Sequence, residues 1–81
     1  MKIEILGVGC AKCNKLYERT RQVLQDESIE AELVKVERLD EILKRGVMMV
    51  PGLVIDGVVK STGTVPGAAD IATWIRQAAQ V

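Results

Sequence analysis

The chain has 81 residues, with 11 Lys plus Arg against 11 Asp plus Glu and no His, so its formal net charge is zero. That balance supplies no field to gather nucleic acid or an anionic membrane surface, and no apolar run is long enough to span a bilayer. Apolar residues make up 48 % of the chain, yet Phe is absent and Trp and Tyr occur once each. The expected core is therefore aliphatic, aromatic stacking on bases is not expected, and one small domain covering residues 1–81 is expected.

The first ten residues alternate like a strand. They lack a charged segment followed by a long apolar stretch, so no signal peptide is expected and the predicted compartment is the cytoplasm. There, two thiols are seldom a structural staple and are more often catalytic or metal-binding.

In chain order, Lys2-Ile3-Glu4-Ile5-Leu6 is rich in β-formers, and a first strand is predicted over residues 2–8, interrupted by Gly7-Val8-Gly9. Cys13, Leu16, Tyr17, Thr20, Val23 and Leu24 recur at three- and four-residue steps. This spacing predicts a helix from Cys13 to about Asp26 with one apolar face. Glu27-Ser28 ends it, and Ile29 to Val36 reads as a second strand. Leu39, Ile42 and Leu43 make a short helix with Gly46 as its C-terminal cap.

Val47-Met48-Met49-Val50 then runs into Pro51. Leu53-Val54-Ile55 and Val58-Val59 form two strands joined by Asp56-Gly57, a dipeptide suited to a tight hairpin because both turn positions need positive φ. After a break at Gly63, residues Ala68, Ile71, Ala72, Trp74, Ile75 and Ala78 mark a last helix, with Asp70 in its first turn. The order is β-α-β-α-β-β-α. The first βαβ unit should be parallel and right-handed. The hairpin should add antiparallel beyond strand one. The result is an α/β fold with a four-stranded mixed sheet, strand one central, and helices on both faces.

Cys10 and Cys13 are the only cysteines, arranged Cys10-Ala11-Lys12-Cys13 where the first strand gives way to the first helix. Thiols three apart at a helix start can close a disulfide across one turn. The positive end of the helix dipole favours the reactive thiolate. The pattern reads as redox chemistry. Cys10 is the expected nucleophile at the exposed end, with Gly7 and Gly9 leaving room for a partner's backbone. Cys13, on the apolar face, is the expected resolving thiol. Lys12 is a candidate thiolate stabiliser, weighed against an ordinary solvated lysine. Lys15 and Arg19 continue a basic stripe that could greet an acidic partner or simply face water. Met48 and Met49 bring soft sulfur near the pair as pliable contact or filler. Tyr17 and Trp74 are expected in the core.

Three features together resemble the thioredoxin-like superfamily, most of all its small glutaredoxin-sized members, the redox-active disulfide proteins. They are the Cys10-Ala11-Lys12-Cys13 motif after the first strand, Val50-Pro51 before the third strand, and the Asp56-Gly57 hairpin followed by Gly63. The resemblance implies a thioredoxin-like fold and a thiol–disulfide oxidoreductase. It implies a Cys10–Cys13 disulfide as the redox centre, with no other cofactor and no resident metal. It implies a cis Val50-Pro51 bond that turns the Val50 backbone outward as a substrate-binding edge, and a proton relay at Glu4, six residues before Cys10, where burial suits a carboxyl to proton transfer. The implied partners are a protein disulfide substrate and an electron donor of the thioredoxin-reductase kind, and the implied state is a monomer. Ala11-Lys12 replaces the Gly-Pro of ordinary thioredoxins, and no Trp precedes Cys10. The extra N-terminal strand and helix of full-length thioredoxins are missing.

Two other classes compete. Gly7-Val8-Gly9-Cys10-Ala11-Lys12-Cys13 also resembles the loop of small copper-carrying domains, and two thiolates suit Cu(I) or Zn(II). Those domains run βαββαβ, however, and no third Cys or His completes a site within one chain; a dimer could supply four thiolates. A partner-docking module without redox turnover would use an aliphatic surface that includes Val47, Val65 and Val81.

Overall fold

The computed structural model describes residues 1–80. Seven elements follow the expected order: β1 (Lys2–Leu6), α1 (Ala11–Asp26), β2 (Glu32–Val36), α2 (Leu39–Lys44), β3 (Gly52–Ile55), β4 (Val58–Thr62) and α3 (Ala68–Ala79). The sheet order is β2-β1-β3-β4. β1 pairs parallel with β2, from Lys2↔Glu32 to Leu6↔Val36, and antiparallel with β3, from Ile3↔Ile55 to Leu6↔Gly52. Being flanked on both sides, β1 is buried from Ile3 to Leu6, as a strand covered on both faces must be. This is a mixed four-stranded α/β sheet with the strand order that the resemblance implies.

Alternation along β1 and β3 divides the core. Ile3, Ile5, Leu53 and Ile55 pack with Leu16, Val23 and Leu24 of α1 and Ile71, Ala72 and Ile75 of α3. Leu6, Val36 and Val54 pack on the other face with Ile42 of α2 and Val47. Each fully buried aliphatic side chain contributes about 1.5–3 kcal/mol. Val47 is therefore core and not docking surface, Val65 is partly buried against the α1–α3 cluster, and Val81 lies outside the described residues. Tyr17 and Trp74 are likewise only partly buried, at the margin of that cluster.

Several boundaries move for local reasons. β1 stops at Leu6, and Val8 is exposed. α1 begins at Ala11 because Cys10 caps it. The second strand starts at Glu32 because Ile29 is used by the end of α1. Ser28 adopts φ 54°, its N–H donates to Gln25 O, and the Ile29 N–H donates to Leu24 O at 3.0 Å. This is a Schellman closure, completed by Ile29 and Leu24 sharing one apolar cluster. Gly46, with φ 75°, follows α2 as expected. Asp56 and Gly57 take φ 48° and 81°, the two positive values that a two-residue hairpin of this twist requires. Asp56 also accepts the Lys2 N–H through Oδ1 and donates its own N–H to Lys2 O, both at 2.8 Å, tying the hairpin to the start of β1.

Candidate active site

Cys10 and Cys13 form a disulfide with a Cα–Cα separation of 5.1 Å. Cys10 is the N-cap of α1, in extended conformation. Its Sγ accepts the Cys13 N–H at 3.1 Å and its carbonyl accepts the Asn14 N–H. A sulfur thus takes the place usually held by a Ser or Asp oxygen in satisfying a free first-turn N–H. The helical period then turns Cys13 inward with Leu16 and Thr20. Cys10 is half-buried and Cys13 is 5 % exposed, so the two cysteines differ in burial.

Val50-Pro51 is cis. Pro51 is buried and Val50 is exposed, and among the described residues neither the N–H nor the C=O of Val50 enters a backbone hydrogen bond. The Pro51 carbonyl accepts the Gly63 N–H at 2.8 Å, which anchors this segment to the end of β4. Val8 is 60 % exposed in the loop before Cys10, and Met48 and Met49 are 87 % and 66 % exposed in the loop before Val50. The methionines are therefore surface and not core filler. Met49 leans on Gly63, where a Cβ would stand 3.2 Å from the Met49 Cε.

Glu4 is buried, as expected, but alternation sets it on the α2 side of β1, opposite Ile3 and Ile5, which pack under α1. Its carboxylate accepts two hydrogen bonds from Arg45, at 2.6 Å and 3.0 Å. Arg45 also donates to the Glu41 carbonyl and carboxylate. The hydrogen bonds to Glu4 raise the Arg45 pKa above its ordinary value. Those from Arg45, then the charge of Lys44, lower that of Glu41. Arg45 is the residue that sequence reasoning missed. It lies 41 positions from Glu4, and no local pattern joins them.

Lys12 is exposed, and among the described residues it makes no ion pair. The basic stripe is shortened, because Arg19 Nη1 donates to the Pro66 carbonyl at 2.9 Å and holds the loop before α3. Lys15 stays exposed. The room at Gly7 is not left for a partner, since the Cys13 sulfur fills it. Gly9 does face open space. The observed β-α-β-α-β-β-α order departs from the copper-carrier order. No helix among the described residues is long and apolar enough to cross a membrane.

The model of the thioredoxin domain family matches residues 1–76. A thioredoxin of Methanothermobacter thermautotrophicus is 39 % identical over 71 residues, covering 88 % of this chain and 92 % of that protein. A thioredoxin of Methanocaldococcus jannaschii is 38 % identical over 69 residues, covering 85 % of this chain and 79 % of that protein. Together with a disulfide at C-x-x-C spacing on the first helix, these matches make the chain a thiol–disulfide oxidoreductase that belongs to the thioredoxin domain family.

Proposed function

We propose that the Cys10/Cys13 couple exchanges electrons with protein disulfides. The observation that carries this reading is the unequal burial of two bonded cysteines at one helix N-terminus. In the reduced form the Cys10 thiolate attacks a substrate disulfide. A Cys10–substrate bond forms and one substrate thiolate leaves. The Cys13 thiolate then attacks Cys10 Sγ, the Cys10–Cys13 bond closes, and the second substrate thiolate departs with the electron pair. Two electrons have moved to the substrate. An electron donor of the thioredoxin-reductase kind then restores the dithiol, which suits a reducing compartment such as the cytoplasm.

The Val50 N–H and C=O, which have no backbone partner among the described residues, suit an extended substrate segment that pairs as an added strand. Val8, Met48 and Met49 offer an apolar, adaptable rim for its side chains. Lys12 lies at the same helix end, exposed to solvent, and adds positive charge near the thiolate. Glu4 is assigned no proton step in this scheme, because Arg45 already engages its carboxylate.

Trapping tests the scheme. Cys13→Ser should accumulate a mixed disulfide through Cys10 when offered a protein disulfide, and Cys10→Ser should accumulate none. Brief substoichiometric alkylation of the reduced protein, read by mass mapping, should label Cys10 first. Trapping through Cys13, or equal labelling of both thiols, would sink the assignment of roles.

A further inference from the structure

Gly7 and Gly9 bracket Val8 between β1 and α1, and they are glycine for different reasons. Gly9 has φ 57° and open space where a side chain would project, so its requirement is conformational. Gly7 is buried and lies outside the positive-φ region, so no left-handed backbone calls for glycine there. The obstacle is steric. A Cβ on Gly7 would overlap the Cys13 Sγ and stand 3.0 Å from the Cys13 Cβ, with the Val50 Cβ 3.8 Å from the same point. The main chain of Gly7 is not free to retreat. Its N–H donates to Val36 O at 3.0 Å, one step beyond the last β1–β2 pair, Leu6↔Val36.

We infer that Gly7 is a positioning residue for the resolving thiol: its missing Cβ is the space that the Cys13 sulfur occupies when the Cys10–Cys13 bond closes. The inference deepens the exchange scheme above and rests on it for the name of resolving thiol. In the closing step the Cys10–Cys13 bond forms, the bond from Cys10 to the substrate sulfur breaks, and the electron pair leaves on the substrate thiolate. A methyl group at position 7 competes for the place Cys13 Sγ takes in the closed bond. The free thiol escapes by rotating about χ1 to another staggered position. The disulfide is tethered at both ends and has no such escape. A side chain at position 7 therefore penalises the disulfide more than the dithiol and slows ring closure.

Gly7→Ala, equilibrated in a glutathione buffer, should shift the disulfide–dithiol equilibrium toward the dithiol by about tenfold or more, equivalent to about 30 mV. Urea unfolding of the two redox forms should register a larger loss in the oxidised form. A double-mutant cycle isolates the cause. In a Cys13→Ala background the sulfur is gone, and Gly7→Ala should cost much less there than in the parent chain. An unchanged redox equilibrium with equal loss of stability in both forms overturns the inference. If Gly7→Ala does not fold alone, the double variant decides: its folding supports the sulfur overlap, and its failure to fold overturns it. None of these readouts uses a protein substrate. A chain that responds to Gly7→Ala in this way but traps no substrate refutes the exchange scheme and not the steric role of Gly7.

Discussion

The two faces of the sheet are covered in opposite ways. Under α1 and α3, with 16 and 12 residues, ten buried apolar side chains form one cluster. Under α2, with six residues, five buried apolar side chains share the space with the Glu4–Arg45 pair. A six-residue helix is too short to seal a four-stranded sheet. A carboxylate on the central strand is tolerable on that side because Arg45, the cap residue of α2, keeps its side chain 26 % exposed while meeting Glu4. Both cysteines belong to α1 and its cap, so the redox pair is mounted on the better-covered face, and the buried charge is kept to the other.

Truncation tests the contrast most strongly. Leu16→Ala, under the long helices, should cost about 3–4 kcal/mol, and Ile42→Ala, under α2, about 2 kcal/mol by urea unfolding. Against a total of about 4–12 kcal/mol for a chain of this size, the first change removes at least about a quarter of the stability. Equal costs would break the comparison.

Arg45→Met comes next. It strips the counter-charge from a buried carboxylate and should cost about 2 kcal/mol at neutral pH, below the range for fully buried pairs because Arg45 is partly solvated. Adding Glu4→Leu should recover most of that loss. If the double variant is no more stable than Arg45→Met, Glu4 is not the group that Arg45 compensates.

The smallest effect is a pH dependence at Glu41. Hydrogen bonding from Arg45, helped by the charge of Lys44, holds its carboxyl below the ordinary value of 4.5. A folded value below the unfolded one means that the carboxylate adds stability above about pH 4.5 and loses it as pH falls through the lowered folded value. Glu41→Gln should therefore flatten the stability profile slightly on that acid side and leave the profile above it parallel to the parent. Glu41 is only half-buried, and solvent screening keeps the change small. An unaltered acid limb would remove Glu41 from the network.

The order of the seven elements, the hairpin at Asp56-Gly57, the cap at Gly46 and the cysteine pair at a helix start are all legible in the residues alone. Each rests on short-range physics: side-chain period, positive φ at particular residues, and first-turn N–H groups in need of acceptors. Tertiary structure decided the rest. Ile29 continues the strand alternation, yet it went to the Leu24 closure because burying it beside α1 also satisfied a helix carbonyl. Val47 became core once α2 folded over β1 and β3. Arg19 was spent on Pro66, 47 positions away, and Glu4 found Arg45. Gly7 looks from sequence like one more flexible turn residue. Only the fold brings the Cys13 sulfur into the place of its absent Cβ. These are pairings between residues far apart in the chain, and a local pattern carries no record of which distant surface will arrive against it.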